Sequence, residues 1–289
     1  MSLQFIIGSS GIGKTHYACE QIIRESMENP QHLYYIIVPE QFTMQTQKNV
    51  VEMHPGKGIL NIDVLSFQRL AYRIFEETGG AREVLLDDTG KSMVLQKLVQ
   101  QHRKNLPYLG SQMNKPGYLD EVKSLISEFM QYDIREEELQ DMLGKTGEDS
   151  LLHMKMQDVG VLYQAFLQYL EGHYMTGEGV MDALKKAIPF SDKLKKSVLL
   201  LDGFTGFTPV QMNVIRELLN VCDKVLVTVT MDAGENPLQM GKPHQLFYMS
   251  RKMIHTLSGL TSNLDDPILL KDERKGRFGN STSLDFLEK

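Results

Sequence analysis

Eight consecutive residues near the N-terminus, Gly8, Ser9, Ser10, Gly11, Ile12, Gly13, Lys14 and Thr15, satisfy the spacing G-x-x-x-x-G-K-[ST] at every fixed position. Glycines at 8, 11 and 13 let the backbone curl, so that successive N–H groups and the positive end of a following helix converge on phosphate oxygens. In this chemistry Lys14 reaches the β and γ phosphates, and Thr15 offers its hydroxyl to Mg²⁺, whose shell the nucleotide completes. The plain alternative is a glycine-rich turn that only joins a strand to a helix. A phosphate loop also needs a carboxylate for the metal, held at the end of a neighbouring apolar strand. Asp202, at the end of Ser197-Val-Leu-Leu-Leu-Asp202, fits that place, although Asp before Gly also marks ordinary turns. In strand-loop ATPases that hydrolyse, an acidic residue commonly follows this Asp and acts on the attacking water. Here the next residue is Gly203, and Phe204, Thr205 and Gly206 cannot replace a carboxylate, because a hydroxyl is far too weak a base at neutral pH. The residues predict nucleotide binding with poor turnover, and no catalytic residue is assigned.

These groups need elements to carry them. The apolar run 3–7 reads as a strand, and the spacing of Ala18, Ile22 and Ile23 reads as the helix after the loop. Further strands are expected at 33–38, closed by Pro39, and at 59–65, closed by Ser66 as a cap for a helix over 67–77. Alternating strands and helices imply a parallel sheet. From 87 to 189 the apolar residues recur at helical spacing, as in Val122, Leu125, Ile126 and Phe129, so this stretch is expected to be all helical. Strands return at 197–202 and 224–230, with a helix beginning after Pro209. The spacing of 188 positions from Lys14 to Asp202 requires such an insertion. The expected division is 1–85, the first part of a phosphate-loop domain; 86–190, an inserted helical subdomain; and 191–289, its second part. The mixed-charge stretch 271–280 reads as a solvated loop, and 283–289 has helical character but stops without a capping glycine, which suggests a chain cut there.

With 289 residues, 42% hydrophobic and 24% charged, the chain can bury a sizeable core, which excludes a disordered or collagen-like protein. A formal net charge of −6 argues against capture of nucleic acid by the surface as a whole, while leaving room for a local patch. Two cysteines, Cys19 and Cys222, give no disulfide framework and point to a reducing, cytoplasmic setting. No run of about 18 apolar residues encodes a membrane span. The eight histidines show no metal-ligand spacing.

Several segments together resemble the N-terminal part of the AddB family, the second subunit of bacterial AddAB-type ATP-dependent helicase/deoxyribonucleases, itself similar to superfamily 1 helicases. They are Phe5-Ile-Ile-Gly-Ser-Ser-Gly-Ile-Gly-Lys-Thr15, Val38-Pro-Glu-Gln-Phe-Thr-Met-Gln-Thr46, Asp63-Val-Leu-Ser-Phe-Gln-Arg-Leu-Ala71, Leu201-Asp-Gly-Phe-Thr-Gly-Phe-Thr-Pro-Val-Gln211 and His244-Gln-Leu-Phe-Tyr248. The resemblance implies an α/β fold: a P-loop NTPase, superfamily 1 helicase-like parallel sheet with an inserted all-helical subdomain, in a subunit far longer than this chain. It implies ATP and Mg²⁺ as ligands, an AddA-type helicase/nuclease subunit as partner in a heterodimer, and work in double-strand-break repair and recombination. It further implies scanning of single-stranded DNA for a recombination hotspot called Chi. By analogy with active relatives, Thr43, Gln45 and Ser66 would meet single-stranded DNA; as residues alone, Thr43 and Ser66 could simply cap helices. A nuclease domain with its metal and a cysteine-bound iron–sulfur cluster is expected only outside this chain. Two departures stand out: Asp202-Gly203 in place of Asp-Glu, and Thr230-Met-Asp-Ala-Gly-Glu235 in place of a segment carrying a γ-phosphate-sensing Gln.

Two other classes remain open to the sequence: a self-sufficient NTPase or kinase, for which Arg103 and Arg135 make a sparse lid, and an interaction domain with a vestigial loop. Lys185, Lys186, Lys193, Lys195 and Lys196 could meet DNA phosphates, or could simply form a solvated helix end.

Overall fold

The computed structural model describes residues 2–80, 83–113, 115, 117–147, 150–232 and 234–271. The chain forms two compact units: Met1–Gly80, Leu184–Phe207 and Gln211–Lys289 make the first, and Ala81–Ala183 with Thr208–Val210 the second.

The first unit starts with β1 (Ser2–Gly8), α1 (Lys14–Glu28), β2 (Leu33–Ile37), α2 (Thr43–Met53), β3 (Ile62–Leu65) and α3 (Phe67–Thr78). Residues β-branched or aromatic on both faces, as in Leu33-Tyr-Tyr-Ile-Ile37, make strands that can be covered on two sides. The third strand begins at Ile62, later than the apolar run suggests. Leu60 is fully exposed and the Asn61 amide donates to the carbonyls of Ser26 and His32, so pairing starts only beyond it. Ser66 does cap α3, its hydroxyl accepting from the Arg69 amide at 3.3 Å.

The second unit contains β4 (Val84–Leu85), α4 (Asp88–Gln101), α5 (Leu109–Gln112), α6 (Tyr118–Gln131), α7 (Glu136–Gly144), α8 (Leu151–Leu170), β5 (Tyr174–Met175) and the start of α9 (Gly177–Ala187). It is not wholly helical: β4 and β5 pair in parallel, two residues each, a match too short to leave a periodic trace in sequence. Leu95, Ile126, Leu162 and Phe166 form the centre of its core. Lys91 is buried there against Glu178 at 3.0 Å, with the Ser127 hydroxyl 3.2 Å away. Asp158, fully buried, accepts from the amides of Tyr108 and Leu109 at 2.9 and 2.7 Å, fixing the turn into α5.

The chain then returns to the sheet through β6 (Ser197–Leu201), α10 (Pro209–Val221), β7 (Lys224–Thr230), α11 (Tyr248–Ser258) and β8 (Ile268–Leu269). All pairings in this sheet are parallel, and the order is β3-β2-β6-β7-β1-β8. Every residue of β6 is buried, each large one contributing on the order of 1.5–3 kcal/mol relative to exposure. The fold is thus a mixed α/β architecture, a parallel central sheet with an inserted helical subdomain. Because the strands run the same way, Gly8, Ser66, Asp202 and Thr230 all emerge at one edge, where parallel sheets place their sites. Apart from Lys271, the mixed-charge stretch 271–280 and the terminal 283–289 lie outside the described residues.

Candidate functional site

The turn between β1 and α1 is built on glycines in the left-handed region, Gly11 at φ 77° and Gly13 at φ 97°. Gly13 is the N-cap of α1, and a residue there with a β-carbon would be strained. No side chain caps this helix and its first turn carries no acidic residue, so its leading N–H groups are left for an anion. The Lys14 ammonium folds back to donate to the Ser9 carbonyl at 2.7 Å.

Thr15, in the first turn of α1, donates its hydroxyl between the two carboxylate oxygens of Asp202, at 3.0 and 2.9 Å. The two residues are 187 positions apart. Asp202 does not come from the strand beside β1, as expected; β7 lies between β1 and β6. The intervening strand contributes to the site, for the Thr228 hydroxyl donates to Asp202 Oδ1 at 2.6 Å. The Asp202 amide donates to the Ile37 carbonyl at 2.9 Å, which ties the strand end to β2. The hydroxyls of Thr15 and Thr228 thus both donate to this carboxylate, only 5% exposed. Such a pair of oxygen groups suits a hard divalent cation. No three His, Cys, Asp or Glu side chains converge among the described residues, so a cation here would need oxygens from a ligand.

Gly203 has φ 77°. The left-handed backbone is therefore part of this turn, and the missing carboxylate is not a simple side-chain deletion. Beyond it Phe204 and Phe207 close on each other at 5.0 Å between ring centroids, and Phe67 of α3 lies 5.6 Å from Phe204 and 6.3 Å from Phe207. After β7, the Met231 amide donates to the Gly8 carbonyl at 3.1 Å and the Glu235 carboxylate pairs with Arg251 of α11.

A cavity of about 540 Å³ opens beside the loop between α1 and α2. Gly11, Gly13, Lys14 and Thr15 line one end, and Thr46, Asn49, Glu52 and Met53 of α2 line the rest with His16 and Cys19 of α1. Burial, and after it the negative charge of Asp202, push the Cys19 thiol up to about 12.

A family model described as "ADDB, N-terminal" matches residues 5–288, nearly the whole chain. The chain belongs to the ADDB N-terminal family. It is 44% identical over 296 residues to the B-type subunit of the ATP-dependent helicase/deoxyribonuclease of Lachnoclostridium phytofermentans, covering 100% of this chain and 26% of that protein. Proteins of the same name from Alkaliphilus metalliredigens and Geobacillus thermodenitrificans are each 32% identical, covering 95% of this chain and 24% of their own length. The chain thus spans about a quarter of the relatives it matches. No helix among the described residues is long and apolar enough to cross a membrane.

In this ADDB N-terminal chain the three candidate DNA contacts stand in different states. Ser66 is 5% exposed and occupied as a helix cap. Thr43 is 4% exposed and is not the N-cap of α2, which is Phe42; its hydroxyl donates to the Glu40 carbonyl at 3.0 Å. Gln45 is exposed, its amide donating to Asn49 Oδ1 at 2.8 Å. Of the lysines, Lys185 and Lys186 sit in the last turn of α9, where the helix dipole favours them, and Lys195 pairs with Asp192 at 2.8 Å. Sequence reasoning missed Thr228. Its signal was present: a hydroxyl inside the otherwise apolar run Val225-Leu-Val-Thr-Val229 must find an acceptor once the strand is buried.

Proposed function

We propose that this chain is the helicase-like, nucleotide-holding region of an AddB-type helicase/deoxyribonuclease subunit, and that it holds ATP–Mg²⁺ without turning it over. The observation that carries this reading is the hydroxyl–carboxylate pairing of Thr15 with Asp202 beside an uncapped helix N-terminus, followed at once by Gly203. The residues fit the ligand. Backbone N–H groups at the start of α1 and the Lys14 ammonium would bind phosphate oxygens, and Thr15 and Asp202 would hold the metal. ATP–Mg²⁺, when bound, would supply the polyphosphate and the cation that these groups lack. With no acidic side chain at 203, the position that would take a proton from water lacks a base, so the ligand would serve to order the loop and sheet edge.

The strand order β3-β2-β6-β7-β1-β8 supports a P-loop, superfamily 1 helicase-like sheet. The same sheet edge carries Ser66 and the 40–43 turn, which supports a contribution to single-stranded DNA scanning. Gln45 and Ser66 would make contacts there, and Thr43 would act by holding its turn. The relatives are named as one subunit of a helicase/deoxyribonuclease, which supports an AddA-type helicase/nuclease partner. Translocation would belong to that partner, and the nuclease metal and iron–sulfur cluster to the larger part of the full-length protein.

Calorimetric titration of ATP–Mg²⁺ into this chain and into Lys14→Ala, with phosphate release followed in the same samples, tests the proposal. Lys14-dependent binding without release is the expected result. Release at several turnovers per second would sink the pseudo-helicase reading and favour a self-sufficient NTPase. Binding that ignores Lys14, or no binding at millimolar ATP, would leave an interaction domain with a vestigial loop.

A further inference from the structure

β3 is the terminal strand of the sheet: β2 lies on one side, and among the described residues no strand lies on the other. Its pairing with β2 fixes where its backbone groups point. The Asn61 and Leu65 carbonyls accept from the Tyr34 and Val38 amides at 2.9 and 3.0 Å, so by the alternation of a strand the N–H and C=O groups of Ile62 and Val64 face away from β2. Ile62 and Val64 are only 3% and 5% exposed, yet among the described residues these four groups have no partner. Buried backbone groups are ordinarily paired. A cavity of about 460 Å³ lies along them, lined by every residue from Ile62 to Leu65.

The two faces of this edge differ. Gln47 of α2 lines the cavity on the face where Ile62 and Val64 join Val50 in an apolar cluster, with Ile59 packed against that cluster. On the opposite face α3 contributes Tyr72, Arg73 and Glu76, and Arg73 holds the Asp63 carboxylate at 2.8 Å. What matches two N–H and two C=O groups repeating about every 6.6 Å is another extended backbone. Its side chains would alternate between the faces, apolar towards Ile59 and polar towards Arg73 and Glu76. Water molecules would satisfy the four groups equally, but they would leave Leu60, which lines the same cavity, fully exposed.

We propose that the β3 edge is a docking site for an extended segment of alternating apolar and polar residues, supplied by the remainder of the same subunit and added to the sheet beside Ile62 and Val64. The short edge decides the source. Each hydrogen bond contributes little net free energy, so four of them do not hold a separate protein, whereas a segment tethered in one polypeptide acts at an effective concentration of roughly millimolar. The relatives are about four times as long as this region, so most of such a subunit lies outside it. The docked segment would fix β3 where it leads into Ser66 and α3. This inference is independent of what the β1–α1 loop holds.

The test is residue-resolved hydrogen exchange of the full-length subunit, read by mass spectrometry on the four amides of β3. Those of Asp63 and Leu65 bond to β2 and report the fold; those of Ile62 and Val64 report the docked segment. In the full-length subunit alone, Ile62 and Val64 should be protected to within roughly tenfold of Asp63 and Leu65. Leu60→Asp puts a charge where the segment would lie, at a side chain that is fully exposed in this region. In that variant Ile62 and Val64 should exchange roughly tenfold or more faster, with Asp63 and Leu65 held within roughly twofold. Rapid exchange of Ile62 and Val64 in the parent subunit, or no change in them on Leu60→Asp, would overturn the proposal. So would protection that appears only on adding the partner subunit, which would mean a strand from another chain, or that grows with protein concentration, which would mean a second copy. If the variant loses all four amides together, the parent measurement decides alone.

Discussion

Replacing Thr228 by valine would remove the shortest hydrogen bond at the site while keeping the shape of the side chain. The threonine donates to Asp202 Oδ1 at 2.6 Å, and both residues are 5% exposed. A hydrogen bond to a charged group contributes about 1.5–3 kcal/mol, and a buried acceptor left without its donor also loses the hydration it gave up on folding. The Thr15 hydroxyl cannot compensate, because its single proton is already shared between both carboxylate oxygens. The chain has two compact units, so a global unfolding curve would mix two transitions. Hydrogen exchange of the β1 and β7 amides reads the right unit, and a loss of about 1.5–3 kcal/mol appears as exchange roughly 10 to 150 times faster. The same substitution in an Asp202→Ala background should accelerate exchange by no more than about 0.5 kcal/mol, since the acceptor is gone. Equal effects in both backgrounds would refute the reasoning, because the cost would then come from strand packing and not from the carboxylate.

Gly203→Glu should not create turnover. A side chain at φ 77° costs about 1–2 kcal/mol, so phosphate release is expected to stay at background while stability drops, and release above the parent rate would show that the backbone accommodates a base. In the helical unit, Lys91→Met should cost about 3–5 kcal/mol by exchange of the α4 and α8 amides, because it strands the Glu178 carboxylate in the interior. Burial pushes Glu178 up, but its own backbone amide and then Lys91 outweigh burial and hold it below the usual carboxylate value. Its contribution is therefore complete above the unfolded value of about 4.3 and is lost as pH falls through the depressed folded value. Glu178→Gln should accordingly be least stable relative to the parent at pH 7, with the gap narrowing as pH falls below the unfolded value of about 4.3; a constant difference at acid and neutral pH would contradict the assignment. Burial, first of all, pushes both Cys19 and Cys222 up to about 12. Iodoacetamide at pH 7.5 should label neither cysteine in the folded chain and both in denaturant, as mass spectrometry would read directly.

Much of this architecture was legible because it depends on short-range rules. The glycines at 11 and 13 and the Lys-Thr pair announce a loop that turns tightly into an uncapped helix, and that is how α1 begins. Ser66 before an amphipathic run marks the start of α3, and apolar runs of about five residues mark β2 and β6. The interrupted sheet was also visible, since a change from strand-sized runs to helical periodicity is a property of neighbouring residues. What neighbouring residues cannot express is which strand lies beside which. Placing β7 between β1 and β6 made Thr228 a partner of Asp202, and it turned the pairing of Thr15 with Asp202 into a reach across one strand.

The same limit explains Lys91 and Glu178, 87 residues apart, and the two-residue pairing of β4 with β5. Each is too sparse to leave a periodic signal, and each is decided by how helices pack in their own core. Thr43 shows the limit at close range: its type suits a cap, but the tight turn at Glu40–Phe42 brings it one position into α2 and turns its hydroxyl back to Glu40. The sequence by itself determined the glycine-rich turn into α1, the lack of a carboxylate after Asp202 and the family, because these reside in residue types at fixed spacing. Tertiary structure alone decided which hydroxyls meet that carboxylate and which side of α2 faces the loop, because hydrogen bonds and cavities form between surfaces that only the folded sheet brings within reach.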